Sequence, residues 1–303
     1  MFSALIQNLI GVLPSMCAGI LATFAVTLIF KTSYTTNFAQ GVISALGAYV
    51  AVDLAMTHGL PLWGVSVIGV VVAFVVGVVI DVCIFRRGRN VNTLGKQIIS
   101  MGLISLIIGI IPFLFTIAKA ESVPVQPIIP LTEGFKMGEV NVPYNTLLGV
   151  GITVVLMVVL FVALQKSKWG LAVRATASNE TVAGMMGVNT KVITALSWGI
   201  AGALGAVAAI IYVGNVSLAN GYVMTSTQIN AFLAGILGGF ATFYGPVLGA
   251  VIIYLLNWIV GYICSLEGVG LTTWKSAIVY VIVMILVLIK PQGLFGKKMV
   301  KKV

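Results

Sequence analysis

Long apolar runs separated by short polar segments set the plan of this chain. The first run, Ala4 to Phe30, is long enough to cross a bilayer with tilt or with a kink at Pro14. The polar cluster KTSYTTNFAQ then leads directly into a glycine-punctuated apolar stretch that includes Leu46 to Tyr49. Further spans are predicted over Gly64 to Phe85, Ile98 to Ala118, Thr146 to Leu164, Thr194 to Tyr212, Ile252 to Cys264 and Leu271 to Ile289. The stretch from Gln228 to Ala250 is apolar too, but Gly235, Gly238, Gly239, Gly245, Pro246 and Gly249 interrupt it too often for one uniform helix. A bent, discontinuous or re-entrant helix is predicted there. The pattern as a whole predicts an all-α polytopic membrane protein of about eight or nine transmembrane helices. It forms a single transmembrane domain over residues 1–303, with no linker to a second, soluble one.

Composition agrees. Of 303 residues 60% are hydrophobic and only 8% charged, more apolar surface than one aqueous core can hide, so the solvent for most of the chain is lipid. The 34 glycines fit close helix packing through small residues. In the span from Thr194, Gly202 with Ala206 and Gly205 with Ala209 are small pairs four apart, which predicts close backbone approach to another helix.

The net charge of +10 is informative through its placement. Cations gather at Arg86, Arg87, Arg89 and Lys96, at Lys166, Lys168, Arg174 and Lys191, and at Lys290, Lys297, Lys298, Lys301 and Lys302. Short basic segments abutting apolar spans follow the positive-inside pattern and not that of a nucleic-acid binder. They put residues 165–192 and the C-terminus on the cytoplasmic side, where the basic tail could also anchor to anionic lipid. Residues 119–145, with Glu121, Glu133, Glu139 and four prolines, are expected outside as extended segments, as is Glu267. Lys31 alone marks the N-terminal side and leaves it open. Asp81, a few residues before Arg86, is a candidate for an interfacial ion pair, with a transport role as the alternative.

Several chemistries are excluded. Cys17, Cys83 and Cys264 are scattered through apolar runs, and His58 is the single histidine, so no metal site is expected. The N-terminus lacks the basic n-region of a signal peptide and is expected to stay as the first span. A phosphate-cradling loop for ATP is missing; the nearest string, GLFGKK at Gly293, has the wrong spacing. Most of the seven acids fall at loops or span ends, so no intramembrane carboxylate relay for proton coupling is in sight. Any driving free energy therefore has to come from a partner, and a catalytic role is not expected.

One polar segment suits that purpose, KSKWGLAVRATASNETVAGMMGVNTK from Lys166 to Lys191. Asn179 can cap a helix, Glu180 suits the dipole of its first turn, and Gly187 can end it, which gives about two turns. So short a helix persists only by packing on something larger. Val182, Met185 and Met186 share one face, while Ala183, Gly184 and Gly187 leave the backbone open, a surface suited to another protein's groove. Within the membrane, Asn37, Gln40 and Asn230 are polar groups that need partners or a water-filled cavity. They sit beside glycine-interrupted segments in the two halves of the chain, as inverted-repeat transporters place them. A passage lined by them would be polar but nearly uncharged, which suits a zwitterion or a neutral polar solute.

GLAVRATASNETVAGMMGV, with Gly170, Ala172, Arg174, Ala175, Asn179, Ala183 and Gly187 in order, resembles the cytoplasmic loop of permease subunits of branched-chain amino acid ABC importers, in their LivH-like branch. NFAQG with LGAY, and GG followed by GP and LGA near Gly245, resemble the same family and extend the likeness over nearly the whole chain. The resemblance implies a type II ABC importer-like fold in the cytoplasmic membrane of a prokaryote. It implies a coupling helix that meets the ATPase through Arg174, Asn179, Glu180, Val182, Ala183, Met186 and Gly187. The translocation pathway would be lined by Asn37, Gln40, Gly41, Asn230, Gly238, Gly239, Gly245 and Pro246. It also implies a second, LivM-like permease subunit, two ATP-binding subunits that use the ATP, so that this chain holds no cofactor, and an extracytoplasmic solute-binding protein facing residues 119–145. Leucine, isoleucine and valine are the favoured cargo, with urea or short amides as alternatives and an ion-coupled secondary transporter as the competing class. Gln40 stands where a histidine is commoner in the family and Thr36 where an apolar residue is usual, which puts the substrate in doubt but not the fold.

Overall fold

A computed structural model describes residues 2–88, 91–119, 123–138, 140–216, 218, 221–265 and 271–296. Arg89, Glu121, Glu139, Glu267 and the tail lysines Lys297, Lys298, Lys301 and Lys302 lie outside the described residues. The helices are α1 (Phe2–Ser33), α2 (Gln40–His58), α3 (Leu62–Ile80), α4 (Thr93–Leu114), α5 (Tyr144–Lys166), α6 (Lys168–Ser178), α7 (Glu180–Met185), α8 (Thr190–Val213), α9 (Thr225–Gly238), α10 (Tyr244–Ser265) and α11 (Lys275–Ile289). A π-helical turn, Asp81–Phe85, prolongs α3. Among the described residues, eight helices are long and apolar enough to cross a membrane.

The helix break expected near Gly239 is present, but it divides the sequence differently from the reading by hydropathy. The chain stops at Gly238, turns at Gly239 with φ +86°, and restarts at Tyr244 as a helix that runs through to Ser265. The apolar stretch beginning at Ile252 is therefore the second half of α10 and not a separate span. Thr242 Oγ1 accepts from Gly245 N at 3.0 Å, and Pro246 sits in the first turn, where its missing N–H leaves no bond unmade. With 14 residues, α9 is about 21 Å long, short of the roughly 30 Å hydrocarbon layer.

At the centre lies α8, packed against α1, α2 and α3. Its small residues allow this: Gly202 lies against the backbone of Ala73 in α3, and Gly205 against Ser44 and Gln40 of α2. Ala206 and Ala209 are fully buried, so both four-residue pairs lie in interfaces. The outer helices α3, α4, α5 and α11 keep wide apolar faces exposed, as lipid-facing or partner-facing helices do.

The two ends of the bundle differ in charge. One end carries Lys31, Arg86, Lys96, Lys191 and Lys290 together with α6 and α7; we call it the α7 face. The opposite end carries an antiparallel hairpin, β1 (Gly134–Met137) paired with β2 (Val140–Pro143), within the loop for which the sequence predicted extended segments but no pairing. Gln7 of α1 clamps this hairpin by exchanging two hydrogen bonds with the backbone of Asn141, and Val123 pairs with Leu218 beside it.

Candidate functional site

The predicted docking helix is α7. Its first turn is capped by Asn179, whose Oδ1 accepts from Val182 N at 3.0 Å, and Glu180 is its first residue. Gly187, at φ +86°, ends it, and Val188 N closes the terminus on Ala183 O at 3.0 Å. Ala183 is buried against the body of the protein, whereas Met185 and Met186 are each 80% exposed and Val182 is 52% exposed. One face thus holds the helix in place and the other is bare, apolar and polarizable, at an end of the molecule where lysines and arginines abound.

Arg174 does not belong to α7. It lies on α6, an eleven-residue helix that the hydropathy pattern did not reveal, and reaches back to Gln165 O at 3.4 Å. The missed signal was Ser167, which caps α6 by accepting from Gly170 N at 2.9 Å, together with Gly170, Val173 and Thr176 at three-residue spacing on its buried face.

Two contacts tie this pair of short helices to the bundle. Tyr34, directly after α1, has φ +48°, uncommon for a residue with a side chain, and its hydroxyl donates to Ala177 O at 2.6 Å. That left-handed residue turns the chain back into the bundle, toward Asn37. The second contact is at the end of α3. The expected ion pair exists there: Arg86 meets Asp81 at 3.4 Å and also donates to Lys191 O, at the start of α8, at 2.9 Å. Glu180 and Lys96 complete this small charged pocket beneath α7.

The pathway residues separate into three groups. Asn37, Gln40 and Gly41 are buried at the start of α2. Asn37 Oδ1 accepts from Ala39 N at 3.0 Å, its Nδ2 donates to Gln40 Oε1 at 3.2 Å, and Gln40 Nε2 donates to Ala201 O, in mid-α8, at 2.8 Å. α2 therefore starts inside the bundle. The residue that completes this cluster is Gln228 of α9, which sequence reasoning passed over: its amide accepts from Gly41 N at 2.5 Å and donates to Phe38 O. Gly238, Gly239, Gly245 and Pro246 form a second group, where the α9–α10 turn closes backbone on backbone and residues 292–296 fold over it. Their backbones pack on one another, with Gly238 against Gly245 and Gly239 against Gln292 and Gly296. Asn230 stands apart, facing a polar cavity beside Tyr254 and Asn257 of α10.

Comparison with known proteins identifies this arrangement. The profile of the family described as "Branched-chain amino acid transport system / permease component" matches residues 8–288. The chain is 27% identical to a probable branched-chain amino acid transport permease protein LivH of Methanocaldococcus jannaschii, over 91% of this chain and 88% of that one. It is 26% identical to the high-affinity branched-chain amino acid transport system permease protein BraD of Pseudomonas aeruginosa over 98% of both chains, and 24% identical to LivH of Escherichia coli over 91% of both. Among solved structures, PsaBC from Streptococcus pneumoniae in complex with Fab shares the fold, with a TM-score of 0.53 over 94% of this chain and 95% of that one, at 14% identity. The expectation drawn from the motifs near Asn37, Asn179 and Gly245 therefore holds: this chain belongs to the family of permease components of branched-chain amino acid transport systems.

Proposed function

We propose that the chain is the membrane-spanning subunit of an ATP-driven importer of small amino acids, leucine, isoleucine and valine before others. A separate ATPase docks on α7 and supplies the work. The observation that carries this reading is the exposure of Met185 and Met186 on a helix capped at both ends and anchored through Ala183. Such a surface fits a groove on a partner.

In this reading the α7 face is cytoplasmic, the C-terminus with it, and the hairpin face looks outward to a solute-binding protein. Two ATP-binding subunits and a second, related permease complete the assembly. ATP binding and hydrolysis displace α6 and α7 together. Tyr34 and the Arg86 contacts pass that displacement to the ends of α1, α3 and α8. The Asn37–Gln40–Gln228 cluster, where α2 and α9 meet inside the bundle, is the element whose parting opens a passage between the two faces.

The test is uptake of labelled leucine by proteoliposomes. Importer function requires that the chain, co-expressed with its neighbouring ATPase, permease and binding-protein genes, drive uptake that stops when ATP is withheld. Uptake by this chain alone under a sodium or proton gradient would overturn the reading in favour of secondary transport.

A further inference from the structure

Along α1, α10 and α11, two adjoining cavities of about 360 and 180 Å³ share Val12 and Lys275. They form one groove that starts at the hairpin face, beside Asn8, Ser265 and Thr272, and runs inward to Tyr254 and Asn230. Its depth follows from helix geometry. The Lys275 side chain lies over Gly261, and Tyr254 lies seven residues deeper on α10, so the part of α10 that Lys275 covers is about 10 Å nearer the hairpin end than the Tyr254 backbone.

Beside Gly11, Val12, Trp258 and Gly261, the groove is lined by hydroxyls, phenols, amides and one ammonium, with no carboxylate among the described residues. Polar groups within a membrane layer are costly unless they are partnered or wet, so their concentration on one groove marks a place where a polar molecule resides. Two details point to its chemistry. The Asn230 carboxamide is in hydrogen-bonding reach of the Tyr254 phenol, while its Oδ1 is buried and has no donor among the described residues, which leaves that oxygen as an acceptor for an N–H group. Tyr254, flanked by Asn230 and Thr227, is seated by Gly19 of α1, where any side chain would strike the Tyr254 ring. Gly19 thus leaves room for the Tyr254 ring at the floor of the groove.

We propose that this groove binds a small zwitterion. The Lys275 ammonium at the outer end attracts its carboxylate, and Asn230 Oδ1 with the Tyr254 phenol receives its N–H donors further in. The separation of the two stations means that a single α-amino acid meets them in succession. The direction of travel rests on the importer reading; the binding chemistry does not. An anionic lipid headgroup shares the chemistry that Lys275 recognises, and the experiment separates the two sources.

The probe is a single cysteine, Ser276→Cys, in the full chain with Cys17, Cys83 and Cys264 replaced by alanine, reconstituted in nanodiscs. A sulfonate-bearing thiol reagent is expected to gain in rate relative to a trimethylammonium-bearing one of equal size, Lys275→Met is expected to abolish that gain, and millimolar leucine is expected to slow the reaction. Equal protection by leucine in discs of neutral lipid and in discs containing phosphatidylglycerol supports the solute site. Protection by phosphatidylglycerol alone assigns the groove to lipid and overturns the proposal, as does failure of both reagents to react. An Asn230→Leu variant that leucine still protects as well as the parent overturns the role given to Asn230. Should labelling behave as expected while ATP-dependent uptake is missing, the site stands and the importer reading falls.

Discussion

Gln228 and Gly41, 187 residues apart in sequence, are joined by a hydrogen bond of 2.5 Å from the Gly41 N–H to the Gln228 side-chain oxygen. α2 begins inside the bundle with no capping side chain of its own, so one of its unpaired first-turn N–H groups is satisfied by a residue of α9. Gly41 is what lets the amide approach, because a Cβ there would meet the Gln228 oxygen. Replacing Gln228 by leucine is expected to leave the Gly41 N–H and the Phe38 carbonyl unsatisfied, at a cost of about 1–3 kcal/mol. Thermal unfolding of the purified protein in detergent checks this, and Gly41→Ala should destabilise through the same contact. An unchanged melting temperature for both would show that the link between α2 and α9 is incidental.

The bare side of α7 makes a prediction separable from folding. Met185→Glu and Met186→Glu place charges on residues already 80% exposed, so insertion and stability should be unaffected. Co-purification of the ATPase subunits should fall sharply. Gly187→Val acts differently: at φ +86° a β-branched residue costs about 1–2 kcal/mol and distorts the end of the helix. ATP hydrolysis without matching uptake is the expected phenotype of that variant.

Tyr34→Phe removes the hydroxyl that donates to Ala177 O at 2.6 Å and little else. A single exposed hydrogen bond contributes roughly 0.5–1.5 kcal/mol, too little to unfold the protein. If α6 and α7 signal to the start of α2 through this contact, the ratio of leucine transported to ATP hydrolysed drops while binding of the ATPase persists. An unaltered ratio would remove Tyr34 from the coupling route.

Asp81 and Arg86 should respond unequally. The Asp81 side chain is 6% exposed and that of Arg86 34%, so taking away the arginine strands a buried carboxylate, whereas taking away the carboxylate's charge leaves an arginine near solvent that still reaches Lys191 O. Arg86→Met is expected to destabilise by about 3 kcal/mol or more and Asp81→Asn by clearly less. Equal losses in chemical or thermal denaturation would argue that the pair is too well solvated to matter.

Glycines divide by what faces them. Gly102 and Gly109 of α4 and Gly151 of α5 have open space where a Cβ would go, whereas Gly202 lies on the Ala73 backbone. Alanine at the first three should be neutral or stabilising by up to about 1 kcal/mol per site. Leucine at Gly202 should block the packing of α8 on α3 and prevent accumulation of folded protein, as judged by expression and monodispersity in detergent.

Features governed by neighbours in the chain were legible in the sequence. Lipid as solvent, the spans up to α8, the cap of α7 at Asn179, its stop at Gly187, the ion-pair partner of Asp81 and a break near Gly239 follow from hydropathy, local hydrogen bonding and allowed backbone angles, all of which act over a few residues. The short helix α6 escaped because its apolar face is only three small or medium residues wide, below what periodicity can register in so polar a segment. Tertiary structure alone decided that Gln228 caps α2, that Asn37 and Gln40 are sealed in the core while Asn230 looks into an open groove, and that Lys275 stands above Tyr254. A polar residue in an apolar run announces that it needs a partner, but where that partner lies depends on which helices pack together, and in this bundle the choice was made by the glycines and alanines of α8, whose interfaces join residues more than a hundred positions apart.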